Sequence, residues 1–163
     1  MAANDATLIS LAEWTKCYFI PLVDRSSDSN LQDAFRLFFS RQPTLFVNGM
    51  RITAGGYMAL LQRGFVQETP TSVTFENVVV VPESDDSQLA GSVGFFFTTK
   101  VNGDTDSRSI SSCVNIVIGQ DSTLEGPGDI DRRRVTNMSQ VILDNGTNPL
   151  VVKISADRFT VVD

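Results

Sequence analysis

A chain of 163 residues with 42% apolar and 20% charged side chains has the size and composition of one hydrophobic core, which argues against both wholesale disorder and a two-domain layout. Its net charge of -6 excludes a generally basic nucleic-acid-binding surface, and its lack of histidine removes the Ser-His-Asp triad, the Cys-His pair and every imidazole metal site. No apolar run reaches the roughly 18 residues of a membrane span, and MAANDATLIS carries Asp5 where a signal peptide would carry basic residues, so neither spanning nor secretion is expected.

The helices come first in the chain. Leu8, Leu11, Ala12, Thr15, Tyr18 and Phe19 recur at spacings of three and four and predict a helix over residues 5–20, with Asp5 as its cap and Pro21 as its stop. Ser29 and Gln32 stand in capping-box spacing ahead of a second apolar stripe, Leu31, Ala34, Phe35, Phe38 and Phe39. Thr44 to Val47, then Asn48-Gly49, then Met50 to Ile52 predict a small hairpin, because Asn-Gly supplies the positive φ of a tight turn. Thr53 is placed to cap a third helix carrying Tyr57, Leu60 and Leu61, with Gly64 closing it. Cys17 and Cys113, widely spaced, fit a reducing compartment and read as packing residues.

From Phe65 onward the period falls to two and β-branched residues accumulate. Strands are predicted near residues 66–81, 90–101, 134–144 and 149–162, the last two joined through Asn145-Gly146. The fold class is therefore α+β, three N-terminal helices packed on a meandering antiparallel sheet, in one domain over residues 1–163. Residues 102–133 are long for a strand connection and read as an insertion or functional loop, despite the strand-like run Cys113 to Ile118. Two strands break the expected alternation: Val78-Val79-Val80-Val81 and Val93-Gly94-Phe95-Phe96-Phe97 are apolar on both parities. Helices of one chain cover one sheet face, so a second subunit is expected over the other, the alternative being an extra layer from residues 103–133.

Thr44-Leu45-Phe46-Val47-Asn48-Gly49 and Lys153-Ile154-Ser155-Ala156-Asp157-Arg158-Phe159, in this order at the two ends of a small domain, resemble the nuclear transport factor 2-like family. Within it they look closest to the small subunit of the heterodimeric, TAP-type mRNA export receptor, over residues 8–101 and 134–163. The resemblance implies a cystatin-like cone with a curved antiparallel sheet. It implies an adaptor without catalytic activity, cofactor or metal, which heterodimerises through its sheet with the large subunit to carry ribonucleoprotein through nuclear pores. Its place would be the nucleus and the pore, shuttling to the cytoplasm, with Phe-Gly repeats met mainly by the large subunit and no membrane involved. A family carboxylate that pairs with an arginine of the large subunit falls at Asn77, beside Glu76; an amide accepts a hydrogen bond there but supplies no charge.

The expected partner interface comprises Glu76, Asn77, Val79, Phe95, Phe97, Asn137 and Gln140, with Phe96 read as core. Arg132, Arg133 and Arg134 form the one basic run and are candidates for RNA phosphate contact, although Asp129 and Asp131 stand beside them. Two alternatives are weighed. The importer branch of the same fold carries GDP-bound Ran through an acid in the first hairpin, where this chain has Asn48 and where no Asp or Glu occurs between Asp33 and Glu68. An isomerase- or dehydratase-type enzyme would use Tyr18 as an oxyanion donor, but the hairpin offers no base.

Overall fold

Ser10 opens the first helix, α1 (Leu11–Val23), its hydroxyl accepting from the Glu13 amide at 3.2 Å. Pro21 lies inside the last turn of α1 and does not stop it. A proline removes only its own N–H, and the Asp24 amide still closes on the Ile20 carbonyl at 2.7 Å. The computed structural model describes residues 8–24, 30–65, 69–85, 87–102, 107–125 and 130–145. Asp5, Ser29, Gly146, the strand expected over 149–162 and the 153–159 run fall outside them.

Asn30 caps α2 (Leu31–Phe38), its side chain accepting from the Gln32 amide at 3.0 Å. The chain passes from α2 directly into β1 (Phe39–Val47), five residues earlier than the hairpin motif suggested. Asn48 and Gly49 follow with φ of 50° and 79°, both positive as a two-residue turn into β2 (Met50–Ile52) demands. The Thr53 hydroxyl then accepts from the Gly56 amide at 3.0 Å and caps α3 (Ala54–Phe65), as expected.

Four long strands complete the fold: β3 (Thr69–Pro82), β4 (Gly91–Asn102), β5 (Ser107–Gln120) and β6 (Arg133–Asp144). The sheet order is β2-β1-β6-β5-β4-β3, antiparallel throughout except that β1 runs parallel to β6. Two expectations are corrected. The sheet is not a pure meander, because β1 inserts beside the last strand. Nor is 102–133 an insertion: β5 is an interior strand, paired along its length with β4 and β6. Its buried residues Ile110, Ser112, Val114, Ile116 and Ile118 keep strict period two.

All three helices contribute to the core on one sheet face. Phe19 of α1 meets Phe95 at 5.0 Å and Phe97 at 5.1 Å, edge to face, and Phe38 at 5.7 Å. Trp14 stacks on Phe38 at 5.6 Å, and α3 contributes the fully buried Tyr57.

Candidate functional site

Strand parity decides which residues meet the helices and which do not. On β4, Val93, Phe95, Phe97 and Thr99 are buried, while Ser92, Gly94, Phe96 and Thr98 point the other way. On that other face Val79 and Val81 are each 62% exposed and Val141 and Leu143 each 59%, with Phe46 and Val117 also exposed. Phe46, Val79, Val81 and Val117, with their neighbours, line a shallow concavity of about 720 Å³ that crosses β1, β6, β5, β4 and β3, and Val141 and Leu143 lie on the same face outside it. An apolar surface this continuous on a sheet is an association signal.

The parity corrects the expected interface at three positions. Phe95 and Phe97 are buried under α1, and it is Phe96 that lines the open face. A run of three phenylalanines carries no parity of its own, and the strong aromatic cluster around Phe19 decides it. Gln140 is also turned inward: Tyr57 Oη donates to its Oε1 at 2.7 Å, and its Nε2 donates to Ser112 Oγ at 2.8 Å. Ser112 Oγ in turn donates to the Val141 carbonyl at 3.0 Å, so this buried polar chain is satisfied. Burial drives the Tyr57 phenol well above its ordinary pKa, which keeps it a neutral donor.

Val79, Asn77 and Asn137 do line the open face. Glu76 is opposite Phe96 and Val79 opposite Gly94, so two β3 residues face one on β4 between them, and Asn77 takes φ of 52°. This bulge overrides simple alternation and puts both Glu76 and Asn77 on the solvent side. The residues lining the concavity include no charged side chain; its polar members are serine, threonine, cysteine and asparagine.

The arginine run is not an exposed phosphate stripe. Arg133 is 2% exposed, forks onto Asp131 at 2.7 and 2.9 Å, donates to the Ile9 and Gln88 carbonyls at 2.8 and 3.1 Å, and lies 5.6 Å from the Trp14 ring centre. Arg134 is also buried and bonded to backbone carbonyls, which leaves Arg132 as the exposed member. Cys17 and Cys113 are both exposed, on α1 and on the open face, so neither is a packing residue.

The alternatives are tested at their named positions. Asn48 bridges β6, its Oδ1 accepting from the Ile142 amide at 2.8 Å and its Nδ2 donating to the Ile142 carbonyl at 3.4 Å. A carboxylate there would lose that donor, and Asn48 ties the hairpin to the sheet. Tyr18 is half-buried against Trp14, 5.1 Å between ring centres, and no carboxylate among the described residues hydrogen-bonds it. Among the described residues no group of His, Cys, Asp or Glu is arranged to hold a metal, and no helix is long and apolar enough to cross a membrane.

No protein-family profile matches the chain, and no curated protein matches it. Likeness emerges among solved structures. A conserved protein from Planctomyces limnophilus shares 11% identity at a TM-score of 0.55, over 82% of this chain and 95% of that one. AclR from Streptomyces galilaeus, named as a candidate hydroxylase, shares 14% identity at 0.51, over 90% and 98%. A nuclear transport factor 2-like protein of unknown function from Pseudomonas aeruginosa shares 9% identity at 0.49, over 80% and 93%. At these identities the likeness is one of fold. Three helices on a curved, unclosed six-stranded sheet, in this order, make the nuclear transport factor 2-like fold that the sequence resemblance implied.

Two expectations are overturned by these neighbours. The chain was expected not to be an enzyme, yet its fold is shared with a candidate hydroxylase, so the fold gives no ground for excluding catalysis. It was expected at the nuclear pore, yet these neighbours come from bacteria, which have no nucleus. The TAP-type subunit itself finds no counterpart among them.

Proposed function

We propose that the chain works by association, as a subunit that docks its open sheet face against a second sheet of the same fold. The observation that carries this reading is an apolar sheet face, centred on Val79, Val81, Val117 and Val141, that no described element covers. Two sheets packed face to face about 10 Å apart would remove these side chains from water, at about 25 cal/mol for each Å² of apolar surface buried. The uncharged lining matters as much. A chain of net charge -6 repels its own copy at long range, but the concavity at the centre of this face holds no carboxylate, and Glu76 stands at its margin.

The second sheet can belong to another copy or to a different chain. The Thr44–Gly49 run, which forms β1 and the hairpin turn, supports the sheet domain of a TAP-type large subunit as a heterodimer partner, with Glu76 and Asn77 at the margin of the contact. Size exclusion with light scattering, on the chain alone and after co-expression with that domain, tests the proposal. A dimer of the chain alone supports the second copy, and a one-to-one complex supports the heterodimer. A stable, soluble monomer indifferent to the partner overturns the association reading.

A further inference from the structure

A second concavity, of about 460 Å³, lies where α2 turns into β1 and faces the connection from β5 to β6. That volume is in the range of small-molecule sites. Its floor is apolar, from Phe35, Phe39, Met58 and Leu124, and its polar rim includes Arg36, Arg41, Arg134 and Asp121.

Arg134 distinguishes this place from an ordinary surface dent. It is 8% exposed, and its guanidinium is fixed by three backbone carbonyls: Nε donates to Arg36 at 3.2 Å, and Nη1 donates to Asp131 at 3.0 Å and to Arg133 at 2.6 Å. Nη2 makes no hydrogen bond to a described residue, and none of the three arginines forms an ion pair with one. Its hydrogen-bond acceptors are all neutral, Asp131 and Asp121 act on it only through space, and Nη2 is left able to take an anion.

Asp121 does not fill that role. Its Oδ1 accepts from the Thr123 hydroxyl at 2.6 Å and from the Thr123 amide at 2.9 Å, within its own turn. Those two hydrogen bonds hold its carboxyl below the ordinary range, with smaller contributions from Arg41 and Arg134, so the group is ionised and the rim carries three positive charges against one negative. On a chain of net charge -6 this is a local reversal of sign over an apolar floor.

We propose that this pocket binds a small organic carboxylate: a planar monoanion bridging Arg134 Nη2 and the exposed Arg36 or Arg41, with an aromatic or acyl body laid on Phe39, Met58 and Leu124. A monoanion fits better than a phosphate dianion because Asp121 stands at the same rim and because Arg134 offers one nitrogen, not a fork.

The test is an NMR titration of the amide-labelled chain with 2-naphthoate, its neutral analogue 2-naphthamide, and inorganic phosphate. Naphthoate is expected to shift the amides of Ser40, Arg41 and Leu124, while naphthamide and phosphate leave them in place. The R36Q/R41Q double variant changes two exposed residues, so the fold survives, and it is expected to weaken naphthoate at least about tenfold, or about 1.4 kcal/mol. Equal responses to naphthoate and naphthamide, an unchanged affinity in the double variant, or shifts confined to the open sheet face would each overturn the proposal. Phosphate moving the same amides as strongly as naphthoate would overturn the organic carboxylate assignment.

Discussion

The two faces of one sheet are built from the same strands and from similar amino acids, yet one is a core and the other a surface. Phe95, Phe97, Val114 and Ile116 disappear beneath α1 and the helices beside it, whereas Val79, Val81, Val117 and Val141 remain in contact with water. The inward set is large and aromatic, and it interlocks with Phe19 and Trp14. The outward set is mainly valine, with Phe46, Phe96 and Leu143 among it, and is interleaved with Ser92, Asn115, Asn137 and Ser139. Aromatic interlocking with the helices, and not side-chain size alone, separates the two faces, and a surface of valine and small polar groups suits a second sheet.

The largest effect is expected from the covered face. Phe97→Ala removes a fully buried ring in contact with Phe19 and Phe75 and should cost about 3–5 kcal/mol in urea unfolding. A loss under about 1 kcal/mol would mean that this face is not the core. On the open face, Val79→Asp combined with Val141→Asp should change the stability of the monomer by only about 0.5 kcal/mol at each site. The same pair should weaken association by about a hundredfold or more, since each carboxylate would have to be buried without a partner. Light scattering and urea titration of this one variant would separate the two faces.

A smaller effect sharpens the inner side. Tyr57→Phe leaves Gln140 Oε1 without its donor inside the core and should cost about 1–3 kcal/mol without altering association. The smallest concerns Asp131, beside the same core. Burial alone would raise its pKa, but the hydrogen bonds from Arg133 outweigh that and hold it below the ordinary value. A depressed carboxyl adds stability that is fully present above its unfolded pKa of about 3.9 and is lost as pH falls through the lower folded value. Thermal melts across that acid range should therefore show a shallower loss in Asp131→Asn than in the unaltered chain.

Much of this organisation is legible in the sequence. The caps at Thr53, the Asn48-Gly49 turn and the apolar stripes of α1 and α2 follow from local chemistry, which acts over three or four residues. The doubly apolar strands mark both sheet faces as apolar, but they conceal which parity goes where. Phe95, Phe96 and Phe97 are chemically identical, and only the position of Phe19 above the sheet breaks the tie. At Glu76 and Asn77 the bulge shifts parity within β3, and the one local sign of it in VTFENV is Asn77, a residue that tolerates positive φ and is rare in strands. β5 was readable but obscured: the polar NGDTDSRS run resembles a loop, while Ile110, Ser112, Val114, Ile116 and Ile118 already carry the strand period. The arginines at 133 and 134 look like a basic patch because a charge run carries no sign of burial. Beside the neighbouring Asp131, the carbonyls that bury them belong to Ile9, Arg36 and Gln88, far away in sequence.

The most direct measurement uses the chain's two thiols as reporters of the two regions. Cys113 lies in the middle of the open face, opposite Phe96 on β4 and Val141 on β6, and Cys17 lies on the exposed side of α1. Their maleimide modification rates should be compared by mass spectrometry as the chain is concentrated, alone and with the TAP-type sheet domain. Sheet-to-sheet docking predicts that Cys113 becomes protected as the assembly forms and recovers on dilution, while Cys17 reacts at a constant rate. Equal and unchanging rates for both cysteines at every concentration and with either partner would contradict it.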